Sequence, residues 1–330
     1  MNARLRELLS RRLLIVTGKG GTGKSSVAAA LGRLAAREGK RTAVIEVGDE
    51  SVLPGLLGAG PSPPEGTEPR EPWPVGSGLF TLRIVPEVAL LEYLELQLRF
   101  RPLARRILAN PGFRRLLDAA PGWRALITLG KLWHLQSLND DGRPRWPLLI
   151  VDAPSTGHSL SFLSVPNVVL DTVRLGPLRR HTEGVHSLLR DHARTLVLPI
   201  TLAEELPVTE SLELCARLRA LGLGLGPLIA NAIETPPEIE NLDRVLGSVA
   251  AHRTSAPDPA VLEPEVLRAC VEHRAQRAAL QRGFLERLDK ESGLDLIELP
   301  YVWEGLGDST GLGRLAESLL RGLELWEPEA

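Results

Sequence analysis

The chain has only two cysteines, Cys215 and Cys270, in 330 residues. They lie far apart and form no CxxC pair, which argues against a disulfide scaffold, a dithiol redox centre and a structural zinc site. An excess of either charge is missing too. The 39 Lys and Arg against 41 Asp and Glu leave a formal net charge of -2. The protein as a whole therefore attracts neither nucleic acid nor an anionic membrane, and any such affinity must be local. No uncharged apolar stretch approaches the roughly 18 to 20 residues of a bilayer span, and "MNARLRELLSRRLLIV" lacks the long apolar core and cleavage site of a secretory signal. The expected location is the cytoplasm, with both thiols reduced and structural. No repeat of fixed period occurs, which argues against a solenoid.

What remains is an ordinary globular composition, 43% hydrophobic and 24% charged, in which short apolar runs alternate with longer helical ones. "LLIVTG" (13 to 18), "RTAVIEVGD" (41 to 49), "PLLIVDAP" (147 to 154), "ARTLVLPIT" (193 to 201), "GPLIANAI" (226 to 233) and "LDLIELP" (294 to 300) read as buried strands. Helical periodicity fills the intervals, as in Val27, Leu31 and Leu34 before a stop at Gly39. Continuous apolar strands separated by helices imply an α/β fold, a mostly parallel sheet covered on both faces, in one domain spanning 1–330. Two regions break the rhythm. Residues 54 to 77 are rich in proline and glycine and are expected to hold no regular element. Residues 87–138 form a leucine-rich helical insertion, with Leu90, Leu91, Leu94 and Leu98 on one helical face.

The chemistry concentrates in "GKGGTGKS", residues 18 to 25, which has the spacing G-x-x-x-x-G-K-[ST] between a strand and a helix. Gly20, Gly21, Thr22 and Gly23 let backbone N–H groups turn inward around a phosphate chain, with Ser25 and Ser26 opening a helix whose dipole favours the anion. Lys24 is suited to neutralise β and γ phosphates and Ser25 to ligate Mg2+. Asp152 ends an apolar strand, where an aspartate is placed to hold the same ion. ATP and Mg2+ are the implied cofactors. The following "APSTGHS" is small enough to act as a switch.

Lys19 is one lysine more than a phosphate loop needs. The form K-G-G-x-G-K-[ST] resembles the deviant Walker A loop of dimerising P-loop ATPases that position or deliver cargo. In that family the extra lysine reaches the partner subunit's nucleotide, so the resemblance implies a homodimer or a heterodimer with a related ATPase. "VDAPSTGHSLSFLSVP" further resembles switch II of the arsenite-pump and tail-anchored-protein targeting ATPases, matching at Asp152, Gly157, His158, Leu160, Leu163 and Pro166. The likeness runs from Leu13 to about Leu320. It implies that Asn231 reads adenine, that the segment at Pro300 and Tyr301 closes over the base, and that the insertion 87–138 holds a protein client with an apolar helix.

Three departures accompany the likeness. The family's switch I aspartate is replaced by Gly48, with Asp49 one residue later as the candidate for orienting water, so slow hydrolysis is expected. The metalloid-binding cysteine cluster is absent, which argues against arsenite transport. The zinc-bridging CxxC pair is absent as well. An ATP-binding regulatory or scaffold protein with little hydrolysis and a cargo-partitioning ATPase are the alternatives.

His134 and His158 lack metal-ligand spacing and read as a core or surface residue and a switch hydrogen bond. The run Arg99, Arg101, Arg105, Arg106, Arg114 and Arg115 reads first as a solvated helix face, making nucleic acid an improbable partner. Membrane contact is expected to be indirect, because the C-terminal "GLGRLAESLLRGLELWEPEA" carries two arginines against four glutamates, the wrong sign for anionic lipid.

Overall fold

A computed structural model describes residues 3–47, 51–58, 70–98, 100–119, 122–235, 242–255, 263–306, 309–324 and 326, with the side chains of 116, 118, 156–158, 252–255 and 309 set aside. The chain opens with α1 (Ala3–Ser10), β1 (Leu13–Gly18), α2 (Lys24–Arg37), β2 (Thr42–Val47) and α3 (Leu53–Leu56). An outer pair, β3 (Trp73–Gly76) and β4 (Leu79–Ile84), precedes four helices, α4 (Pro86–Leu98), α5 (Arg101–Ala109), α6 (Pro111–Ala119) and α7 (Trp123–Ser137). A two-stranded ribbon of β5 (Asn139–Asp140) and β6 (Arg143–Pro144) leads into β7 (Leu148–Ser155), α8 (Thr156–Thr172) and α9 (Pro177–Arg190). The remainder alternates: β8 (Thr195–Leu202), α10 (Glu205–Ala220), β9 (Leu228–Ile233), α11 (Leu242–Ser255), α12 (Pro264–Ser292), β10 (Leu296–Pro300) and α13 (Ser309–Leu323).

The main sheet has eight strands in the order β10-β9-β8-β1-β7-β2-β4-β3. All its pairings are parallel except β3 with β4. The centre of the sheet shows why the apolar runs are continuous. Leu14, Val16, Leu148 and Ile150 face one core with Leu31 of α2 and Leu315 of α13, while Leu13, Ile15, Leu149 and Val151 face a second core with Leu132 of α7 and Leu188 of α9. A strand buried on both faces cannot alternate with polar residues. Helix α2 lies close to the sheet because Ala28, Ala29 and Ala30 are small, and a Cβ at Gly32 would sit 2.5 Å from Val44 Cγ2. The terminal helix α13 buries Leu312, Leu315, Leu319 and Leu323 and packs on α2 and β10.

The region 54 to 77 departs from expectation. Trp73–Gly76 forms β3, and β4 directly after it had no counterpart in the strands read from sequence; residues 59–69 lie outside the described set. The prolines do not prevent pairing, because β3 is the sheet's last strand and needs ladder donors on one side only. The short helix α3, with Pro54 in its first turn, runs into the start of this region from Leu53. Four helices, α4 to α7, occupy the span between β4 and β5.

Candidate functional site

Parallel strands deliver their last residues to one edge, and β1 lies between β7 and β8, so the ends of β1, β2, β7 and β9 meet in a crevice. Register fixes the neighbours: Val16 and Glu46 both pair with Asp152, and Gly18 pairs with Ile200. At the end of β1 the chain must turn without side chains. A Cβ on Gly18 would fall 2.1 Å from the Ile200 carbonyl oxygen, and one on Gly23 would fall 2.2 Å from Asn231 Nδ2. Gly21 and Gly23 take left-handed φ values of 83° and 89°. The loop closes on one acceptor. The Lys19 carbonyl receives Thr22 Oγ1 at 2.9 Å and Lys24 Nζ at 3.0 Å. Asn231 braces the loop from β9, donating Nδ2–H to the Thr22 carbonyl at 2.9 Å.

Gly23 caps α2 without a side-chain hydrogen bond, so the first N–H groups of that helix point into the loop. Burial lowers the pKa of the Lys24 ammonium, and nearby Asp152 pulls it back up. Ser25 Oγ donates to Asp152 Oδ2 at 2.5 Å, while Asp152 Oδ1 is buried with no partner among the described residues. A hydroxyl and a carboxylate with an oxygen to spare make a hard-donor pair that fits Mg2+. Burial is the main reason that the Asp152 carboxyl is pushed up to about 6; Ser25 and Lys24 oppose the rise and Glu46 adds to it.

Two residues here escaped the reading of motifs. Glu46 interrupts the apolar strand "TAVIEV" yet is buried, and its carboxylate accepts Val52 N–H at 2.5 Å, Leu53 N–H at 2.7 Å and Ser51 Oγ at 3.0 Å. It thus ties the start of α3 to the strand beside Asp152; an acid inside an apolar strand was the available signal. Glu210 of α10 accepts a hydrogen bond from Lys19 Nζ at 2.7 Å across a sequence distance that no motif spans.

Among the residues singled out from sequence, Gly20 to Ser26, Lys19, Asp152 and Asn231 come together. Ser26 follows Ser25 in the first turn of α2. Pro300 ends β10 beside Ile233, and Tyr301 donates its N–H to the Ile233 carbonyl at 2.9 Å. The Tyr301 ring is exposed and meets Trp303 at 4.7 Å, with Arg274 over the Trp303 ring. Gly48, Asp49 and the side chain of His158 lie outside the described residues. His134 is half-buried in α7, and burial lowers its pKa. Burial also pushes the Cys215 thiol up to about 11, as suits an inert core residue, whereas Cys270 is exposed.

This fold and site define a P-loop protein, and the chain belongs to the CobQ/CobB/MinD/ParA nucleotide binding domain family, whose model matches residues 13–326. Among known proteins it is similar to the "ATPase BagA" of Mycobacterium tuberculosis (strain H37Rv) and to the "Putative ATPase Mb3704" of Mycobacterium bovis. Each is 32% identical over 323 residues, covering 93% of this chain and 92% of the relative. No helix among the described residues is long and apolar enough to cross a membrane.

Proposed function

We propose that the protein is a cytoplasmic, dimeric ATPase of the arsenite-pump and tail-anchored-protein targeting type, coupling nucleotide state to the handling of a protein client. The observation that carries this reading is the direction of Lys19. Lys24 serves the interior of its own loop, whereas Lys19 Nζ reaches outward to Glu210 over an open groove that also includes Gly20, Ser155, Leu160 and Ser161. A lysine held at the mouth of its own site by an exposed ion pair is cheap to release, because such pairs contribute about 0 to 1 kcal/mol. Glu210 parks it in the free subunit, and a partner's nucleotide takes it in the dimer.

Within one subunit Lys24 and the α2 N-terminus hold the phosphates, Ser25 and Asp152 hold the cation, and Asn231 faces the base while bracing the loop. Bound Mg2+ supplies positive charge to the phosphate oxygens. Asp49 orients the attacking water, and Glu46 anchors the segment that follows it. The client site includes a cleft of about 80 Å³ between α4, α7 and α9, lined by Tyr93, Leu126, Trp133, Leu178 and Val185 over the largely buried Lys131–Glu92 ion pair. The relatives named as ATPases support hydrolysis. Turnover by Lys19→Ala tests the reading: it should fall to background while ATP still binds, and turnover equal to wild type would refute a role for Lys19 in the reaction. Background turnover in the wild type itself would instead favour the scaffold alternative that the missing switch I aspartate at Gly48 raises.

The raised Asp152 pKa gives a second outcome with a definite sign. Below the ordinary carboxyl value of 3.8 folded and unfolded chains both keep the proton, so the group is neutral to stability. As pH rises toward about 6 the unfolded chain ionises first and the metal-free fold loses stability; above that the cost is constant. A cation needs the ionised carboxylate, so below about pH 6 protons compete with Mg2+ and its affinity should fall toward about tenfold per pH unit. Titrations of Mg2+ into the ATP-bound protein at several pH values should show the decline, and Asp152→Asn should remove it. A flat profile for the wild type would be inconsistent with Asp152 as a ligand.

A further inference from the structure

We propose that the corner joining α4, α5 and α6 is a docking surface for an anionic lipid bilayer. Residues 101–115 contain five arginines and no acidic residue, in a protein whose net charge is -2. Arg101, Arg105, Arg106, Arg114 and Arg115 are all exposed. Arg101 sits 3.9 Å from Glu95, whose carboxylate is already held by Arg70 at 2.7 Å. Beside them the same corner exposes large apolar side chains: Leu98 at 37%, Phe100 at 59% and Leu103 at 41%. The corner is not part of the core. Among its described side chains, α5 buries Ala104 alone and α6 buries none; α5 packs on α4 and α6 packs on α5, away from the sheet.

The chemistry selects the partner. Arginines flanking protruding aliphatic and aromatic side chains match an interface that is anionic at its surface and apolar a few ångströms below. A nucleic acid would meet the arginines but leave the leucines and Phe100 without a partner. A second copy of this face would set five arginines against five. Leu98 ends α4, and Phe100 is the N-cap of α5, so these apolar groups stand at the ends of two helices and not along a groove that could enclose one. Sequence alone suggested indirect membrane contact; the exposed apolar corner beside the arginines is what the structure adds. The inference is independent of the ATPase reading.

Flotation with vesicles of phosphatidylcholine alone, and of phosphatidylcholine with about one third phosphatidylglycerol, tests it. The wild type should float with the anionic vesicles and stay behind with the neutral ones. Each arginine near such a surface contributes about fivefold in affinity, so R105E/R106E should lose at least about 25-fold, and 0.5 M salt should release the wild type. Phe100→Ser keeps the charge and should weaken binding severalfold; this separates insertion from simple attraction. Unchanged melting temperature and ATP affinity verify that both variants are folded. No flotation, equal flotation with both vesicle types, or full binding by R105E/R106E would overturn the proposal. Arginine-dependent retention of duplex DNA without flotation would assign the surface to nucleic acid instead.

Discussion

Lys24→Ala is expected to weaken ATP binding by about a hundredfold or more. Its ammonium is half-withdrawn from water beside α2, and burial lowers its pKa, so its charge is poorly solvated before any ligand arrives. A triphosphate supplies the countercharge that the Lys19 carbonyl, 3.0 Å away, supplies only in part. Truncating one member of a buried charged pair costs about 2 to 5 kcal/mol, which sets the expected loss. The ligand-free protein should behave differently. Removing a poorly solvated charge leaves its melting temperature unchanged or slightly raised, while the rise on adding Mg·ATP disappears. Isothermal titration and thermal melts of the same preparation test both halves. Near-native affinity would remove Lys24 from the phosphate site, and a marked loss of ligand-free stability would make it a structural residue.

Gly18→Ala should have the largest effect on stability itself. Its φ is 156°, and the added Cβ would lie 2.1 Å from the backbone oxygen of Ile200, its partner on β8. That oxygen belongs to a central strand with buried neighbours on both sides and has no rotamer to move, so the strands must part. Overpacking typically costs about 1 to 3 kcal/mol, and a backbone oxygen that cannot move puts this site at about 3 kcal/mol. The phosphate loop begins at this residue, so nucleotide affinity should fall together with stability. A lowered denaturant midpoint with an unchanged slope would show the effect. Gly21→Ala provides the contrast: no atom lies within 4 Å of its Cβ, and only its φ of 83° resists the change, so its cost should be about 1 kcal/mol. Equal midpoints for the two variants would contradict the steric account.

The contrast between these glycines also shows where sequence is informative. The strands β1, β2, β7 and β8 were legible because burial on both faces forces nearly unbroken apolar runs, and the loop was legible because few residue types tolerate its turns. Strands β3 and β4 were not: Pro74 and Gly76 are compatible with an edge strand but read as a loop, and Leu79–Ile84 has no counterpart among the apolar runs read as strands. The partners of the loop were the least legible. Lys19 and Glu210, Thr22 and Asn231, and Gly18 and Ile200 meet only because a parallel sheet returns to the same edge after each helix. Glu46 was visible as an oddity, an acid in an apolar strand. Its meaning comes from the backbone of Val52 and Leu53, which no residue pattern encodes.

The most direct test of the account is complementation between two defective subunits. Lys19→Ala retains Lys24, Ser25 and Asp152 but offers its partner no lysine; Asp152→Asn retains Lys19 but cannot hold the cation. Each alone should hydrolyse ATP at background. Mixed in equal amounts, half of the dimers carry one intact site completed by the partner's lysine, and turnover should return to about one quarter of the wild-type value. Turnover that remains the sum of the two backgrounds, at concentrations where wild type is fully active, would contradict a site completed by Lys19 from the second subunit.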